Sequence, residues 1–462
     1  MTVVEDTTVG VSGSDETSLQ MGLRNVVALA ESGLADEYVV YEDRNNWVFA
    51  GGTTGSVVLR TRTITTAWRD GAPRTREWSG NPADALDAAC AELTRDSWNA
   101  YGLVGFDFAV HLHGTVSGRG SDDVLAHLIV PRFEVRFGAD HGSRVEVAGS
   151  DVDRDAVLAV LESLGESSDS FDEGGNVQSA HGRSDVDAEV DNDNYRDRVA
   201  EAVNEIRRGD YSKVILSRRV AVPFHVDLPA TYRAGRTANT PARSFLLRLG
   251  DISAAGFSPE LVASVDAHGV VITRPLAGTR AFGRGMELDA AAREDLERDP
   301  KEISEHAVSV RTSFLELESV ARHGSTVVSE FMSVRERGSV QHLGSTVRAR
   351  LREGVSSWGA LAAVFPAVTA SGIPKREAID AITRLEDTPR GLYSGAVVKA
   401  SSTGELEAAL VLRAVYEQNG SAWLRAGAGV VGQSTPDREF DETCEKLASV
   451  APYLIRTKEK KL

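Results

Sequence analysis

Cysteine is scarce: Cys90 and Cys444 are the only two in 462 residues, and neither has a partner at Cys-x-x-Cys spacing. A disulfide framework and a cysteine-based zinc site are thereby excluded, and the usage fits a reducing compartment. Long apolar runs are missing as well. The longest strongly apolar stretch lies around residues 361–368, against the roughly 20 residues that a spanning helix requires. Basic charge is in deficit, with 51 Lys and Arg against 68 Asp and Glu and a net charge of −17. That balance opposes non-specific association with nucleic acid or an anionic membrane, while a locally positive pocket for an anionic substrate stays compatible with it. Residues 1–20 are polar and acidic, unlike a signal or transit peptide, so a flexible N-terminus on a cytoplasmic protein is expected.

Length alone suggests several domain-sized units. Residues 38–41, 47–50, 56–64, 103–113 and 133–137 read as strands, several alternating apolar with polar residues, and the short turn-rich gaps favour antiparallel pairing. A helical pattern interrupts them over 82–100. His111 and His113 share a strand face in this reading, and with no further ligand set nearby they are core or surface residues rather than metal ligands. Residues 162–194, dense in Ser, Asp, Gly and Glu, read as a solvated loop. Beyond them strands alternate with long, capped helices.

Each notable motif there also has a plain structural explanation. A β-branched run from Lys213 reads as a strand, with Lys213 on the face of Ile215 and Ser217. A lysine at a strand start is ordinarily solvated, but beside apolar neighbours it can serve as a base. Ser258-Pro259-Glu260 resembles a helix start, with Glu260 near the dipole as a cap. Asp299, Pro300 and Glu302 form a clear N-terminus, with Asp299 as N-cap and Glu302 as the reciprocal residue of a capping box. Lys301 and Glu305, four apart, fit a surface ion pair equally well. Gly427, Gly429 and Gly432 match Gly-x-Gly-x-x-Gly, but no helix opens within the motif, so a dinucleotide site is rejected. What remains is a glycine turn whose N–H groups suit a carboxylate. Glu439, Glu442 and Lys446 share one face of a helix that starts near Pro436. If Glu305 converged with these two glutamates, the oxygen set would suit Mg²⁺.

Taken in order, the segments beginning at Lys213, Ser258, Pro275, Glu305, Gln341, Arg390, Ala426 and Glu439 resemble the motifs of chorismate-utilising enzymes from about residue 210 to 454. Lys213 stands where the water-using members carry a lysine and the ammonia-using members a glutamine. Residues 365–375, with Thr369, are similar to the mycobactin-type salicylate synthases rather than to plain isochorismate synthases. The resemblance implies an α/β (α+β) fold: two large, mostly antiparallel sheets packed together with helices outside. It forms one unit over 21–462, comprising a scaffold half (21–161), the loop (162–194) and a catalytic half (195–455). It further implies conversion of chorismate through isochorismate to salicylate and pyruvate for a siderophore route, with an isochorismate synthase as the nearest alternative. Lys213 would be the base and Glu260 the acid. Glu305, Glu439 and Glu442 would hold Mg²⁺. Gly278, Thr279, His342, Thr369, Tyr393, Arg413, Gly427, Ala428, Gly429 and Lys446 would bind the substrate. A monomer without an obligate protein partner is expected.

Overall fold

The computed structural model describes residues 9–10, 17–68, 71–93, 97–114, 122–140, 142–166, 186–337 and 340–458. Two sheets dominate it, one of eleven strands and one of twelve, and every strand pairing among the described residues is antiparallel. Alternation along the strands explains how the sheets pack. In Tyr38–Asp43, Val39 and Tyr41 enter the cluster between the sheets, while Tyr38 and Val40 face outward onto helices. In Asn99–Val104, Tyr101 and Leu103 point inward and Ala100 and Val104 outward. Both faces of each sheet are therefore apolar, one buried against the other sheet and one under helices. Each fully buried large side chain contributes about 1.5–3 kcal/mol.

The two halves of the chain build both sheets together. In the first sheet the N-terminal strand Tyr38–Asp43 pairs with Arg243–Leu249, and beyond it follow Ile252–Ser258, Ala414–Gln418, Ser421–Val430, Lys213–Val222 and Gly372–Ile373. In the second sheet Asn99–Val104 pairs with Ala396–Ser401, followed by Leu406–Leu410, Leu261–Val265, Val270–Thr273, Val340–Arg350 and Leu276–Ala281.

Several local expectations are corrected. Residues 56–64 are not one strand: Gly55–Arg60 and Thr63–Trp68 form a hairpin across a tight turn. Within 103–113 the strand ends at Val104, and Asp107–Leu112 is a helix, so His111 and His113 share no strand face. The His113 ring lies against the Phe365 carbonyl oxygen, 3.2 Å from Nε2. The polar start gives way to a helix already at Ser18, because Thr17 and Gln20 form a capping box. Residues 1–8 and 11–16 of that expected flexible stretch lie outside the described residues. The helix Asp151–Glu166 runs past the expected loop boundary at 162, and 167–185 also lie outside the described residues. No helix among the described residues is long and apolar enough to cross a membrane.

Candidate active site

Lys213 opens the strand Lys213–Val222, which is held between Ser421–Val430 on one side and Gly372–Ile373 on the other. The residue is buried, 7 % exposed, and its ammonium pairs with the Glu305 carboxylate. Glu305 comes from the helix Pro300–Glu318, whose N-cap is Asp299 as expected, accepting from the N–H groups of Lys301 (2.9 Å) and Glu302 (3.4 Å). The expected capping box is not closed, because the Asp299 N–H bonds to the Asp295 carbonyl. Glu302 is held by Arg280, 3.3 Å away, and Arg280 also reaches Asp295 and Asp299 at 2.6 and 2.8 Å. The Lys301–Glu305 surface pair is thus replaced by a buried pairing of Glu305 with Lys213. Sequence spacing could not foresee that partner, which lies 92 positions away.

Glu260 does not start a helix. It lies in the two-residue link where the chain leaves Ile252–Ser258 in the first sheet and enters Leu261–Val265 in the second. Ser258 Oγ caps that link by donating to the Glu260 carbonyl at 2.9 Å. The crossing leaves the Glu260 side chain buried, and Thr369 Oγ1 donates to its Oε1 at 2.8 Å. Burial pushes the Glu260 carboxyl up to about 8, against the opposing pull of the Thr369 hydroxyl, the Leu276 N–H and the Lys213 charge. Near neutral pH the group therefore holds its proton, as an acid catalyst must.

A second cluster faces this pair. Gly278 has φ +63°, and a Cβ there would lie 2.7 Å from Leu296 Cδ1 and 3.0 Å from Glu302 Oε2, so only glycine fits. The Gly278 carbonyl lies 2.8 Å from His342 Nδ1, and Thr279 Oγ1 lies 3.2 Å from the same atom. A carbonyl accepts only, so Nδ1 carries the proton, and Nε2 is left to accept from Arg413 Nη2 at 3.2 Å. Lys446 Nζ donates to the Gly427 carbonyl and to Glu442 Oε1, each at 2.8 Å. Gly427 packs closely: an added Cβ would come within 2.6 Å of the Leu216 carbonyl and 2.9 Å of the Tyr393 hydroxyl. Gly427 and Gly429 do not form a turn, however. They lie within the strand Ser421–Val430, opposite Ser217 and Ile215. Pairing with the Lys213 strand holds this segment extended, and the glycines keep the strand surface open towards the cavity.

Lys213, Glu260, His342, Arg413 and Lys446 line one cavity of about 210 Å³. Of the residues expected to act on substrate or metal, Ala428 alone does not line it. Strand alternation points its side chain to the other face, where it is fully buried. Sequence reasoning missed Arg280, Lys301 and Arg438 as wall residues, and it read Glu302 as structural although it too lines the cavity. Arg280 sits inside the Pro275–Arg280 motif, so a signal for it was present. Ile215 and Leu412 supply apolar wall.

Glu305, Glu439 and Glu442 also open onto this cavity. Among the described residues, no group of three or more His, Cys, Asp or Glu side chains gathers into a ready metal cage. The donor chemistry nevertheless suits a hard cation that takes few carboxylates and fills its shell with water and substrate oxygens. Burial, and then the neighbouring Glu442 charge, raise the Glu439 carboxyl, so two carboxylates repel each other here. Burial would raise Glu442 too, but Lys446 outweighs it and holds that carboxyl below its usual value. A cation placed between the glutamates would relieve the repulsion.

The chain matches the model of the chorismate binding enzyme family over residues 36–452. It is 49% identical to the salicylate synthase of Mycolicibacterium paratuberculosis over 430 residues, which span 93% of this chain and 92% of that one. Its fold is similar to anthranilate synthase component I from Streptococcus pneumoniae, with a TM-score of 0.70 and 24% identity, covering 88% of this chain and 92% of that chain. It is also similar to the menaquinone-specific isochorismate synthase from Escherichia coli, with a TM-score of 0.68 and 19% identity, covering 97% and 94%. The two solved structures speak for the fold, and the expected pair of large antiparallel sheets is the one observed. With a family match that takes in the whole cavity and all but one short strand of the two sheets, the chain belongs to the chorismate binding enzymes.

Proposed function

We propose that this protein is a salicylate synthase, which converts chorismate through isochorismate to salicylate and pyruvate in the presence of Mg²⁺. The observation that carries the reading is a buried lysine and a carboxyl held protonated to about 8 in one cavity, in a chain 49% identical to a salicylate synthase. In the first step water adds at ring C2 while the C4 hydroxyl departs. Lys213 in its neutral amine form takes a proton from the attacking water and becomes the ammonium that pairs with Glu305 in the structure. Glu260 gives its proton to the departing hydroxyl, which leaves as water, so the proton count balances. Thr369 holds the Glu260 carboxyl in place.

In the second step the C3–O bond breaks as hydrogen shifts from C2 to the enolpyruvyl methylene, which yields pyruvate and an aromatic ring. This step needs alignment more than a base. Arg413, oriented by His342, and Tyr393 suit the enolpyruvyl carboxylate, as do the N–H groups along 427–429. Gly278, Thr279 and Lys446 complete the walls. Glu305, Glu439 and Glu442 would hold Mg²⁺, which when bound supplies positive charge to a ring carboxylate amid acidic walls. A cytoplasmic monomer that feeds a siderophore route fits the same reading.

The test is a product assay with chorismate, with and without Mg²⁺. Salicylate and pyruvate in equal amounts, lost with a chelator, are expected. Isochorismate alone would make the protein an isochorismate synthase, and an aminated product dependent on ammonium would refute the water chemistry. Lys213→Gln should lower isochorismate formation by about 100-fold or more with the fold retained; full activity would remove Lys213 as base. Glu442→Gln should raise the Mg²⁺ concentration needed for half-maximal rate, and an unchanged titration would sink its ligand role.

A further inference from the structure

Lys213 opens a strand of the first sheet and Glu260 sits in the link between the sheets, yet the first step needs them at a fixed separation. A buried ionic cluster behind the cavity wall connects the Lys213 strand to the turn whose Thr369 holds Glu260. Glu386 ends the helix Lys375–Leu385, and its side chain is 2 % exposed. Its Oε1 accepts from the Ser217 N–H at 2.8 Å and from Arg390 Nη2 at 2.6 Å. Its Oε2 accepts from Arg390 Nε at 3.0 Å and Arg425 Nη2 at 2.7 Å. The remaining contacts of Arg390 are unusual. Nη2 donates to the Ile215 carbonyl at 2.6 Å, and Nη1 donates to the Ala370 carbonyl at 2.8 Å. Ile215 lies two residues from Lys213 on its strand, and Ala370 directly follows Thr369, the hydroxyl that holds Glu260. One guanidinium therefore spans the Lys213 strand and the Thr369 turn, while Glu386 fixes the angle of its fork.

We propose that Arg390, oriented by Glu386 and Arg425, is a positioning residue that sets the Lys213–Glu260 separation for the first step. The inference rests on the two-step reading above. Only a planar fork can serve here, because two carbonyls and a carboxylate must be met at once from one buried side chain. A lysine ammonium is a single point at the end of a flexible stem and cannot bridge both carbonyls in that geometry. The second step, which needs no acid–base pair, depends far less on this distance. Of the groups assigned to that step, Tyr393 has its ring 5.6 Å from the Arg390 guanidinium and 5.7 Å from that of Arg425, a cation–ring contact that a lysine at 390 can keep.

The test is Arg390→Lys in the full chain with Mg²⁺, assayed separately with chorismate and with isochorismate. Arg236→Lys is the control, since its ion pair with Glu42 (3.0 Å) is similarly buried but its bonds go to Glu42, Asn45 and Asn239, away from the Lys213 strand and the Thr369 turn. A displacement of catalytic groups on the order of 1 Å is expected to lower kcat for isochorismate formation about 100-fold, with KM for chorismate and turnover of isochorismate changed by no more than about threefold. The control should keep both activities. Parallel loss of both steps in Arg390→Lys, or loss of neither, would overturn the positioning role. If Arg390→Lys does not accumulate as folded protein, Glu386→Gln, a residue that does not line the cavity, is read in the same two assays. Failure of both to fold beside a folded control would assign the cluster to stability alone and overturn the proposal. Wild-type protein inert towards both substrates would instead overturn the functional reading, and this inference with it.

Discussion

Glu260 must be buried to keep its proton, and burial makes it a burden on stability at the pH where it works. Its folded-state carboxyl sits at about 8 against an ordinary 4.5. The folded protein therefore binds more protons than the unfolded chain between those values, and stability falls as pH rises through that window. Glu260→Gln should accordingly gain thermal stability relative to wild type as pH is raised from 5 to 9; a pH-independent difference in Tm would contradict the assignment. For activity the sign is the same. The rate of isochorismate formation should fall as pH rises through about 8, since the acid form is lost. Thr369→Val removes a hydrogen bond that favours the charged carboxylate, so this alkaline limb should move upward, as a pH profile of kcat would show. At this scale the sequence marked Lys213, Glu260 and Thr369 through motif resemblance. The reason for the Glu260 proton was not legible, because burial depends on which strands close around the link.

Elements show which local signals survive folding. The helix from Pro300 begins where its Asp-Pro start requires, and the helix Pro436–Leu447 also begins at its proline. N-capping is a contact within four residues, so it can be read without knowing the fold. Asp299→Ala should cost about 0.5–2 kcal/mol of stability through lost capping, measured by urea unfolding. It also deprives Arg280 of a partner. Because Glu305 rides on that helix, the variant should need more Mg²⁺ for half-maximal rate; an unchanged requirement would separate the cap from the metal site. Ser258-Pro259-Glu260 looked equally local but proved to be a crossing between sheets, and the glycines near 427 proved to be strand. Both misreadings share a cause. A short Ser-Pro-Glu or Gly-x-Gly pattern is compatible with several backbone states, and long-range strand pairing selects one.

For the whole molecule, the interleaving of the two halves bears on how the chain folds. Arg243–Leu249 and Ala396–Ser401 pair with the N-terminal strands Tyr38–Asp43 and Asn99–Val104, and most of their residues are buried. Residues 195–458 alone would expose those apolar edges and should aggregate or remain unfolded. The full chain should melt in one cooperative transition by calorimetry. A soluble, folded C-terminal half would refute this. The sequence by itself determined the acidic charge, the shortness of its apolar runs, the Asp-Pro helix start and the ordered motifs that mark the family, all of which are properties of composition or short spacing. Tertiary structure alone decided that Glu305 meets Lys213, that Glu260 is sealed between sheets, that Ala428 turns away, and that Arg390 ties Ile215 to Ala370. Apart from Ala428, whose direction follows once the strand is formed, each of these joins residues 20 to 175 positions apart, and contact at that range is set by sheet order rather than by any local pattern.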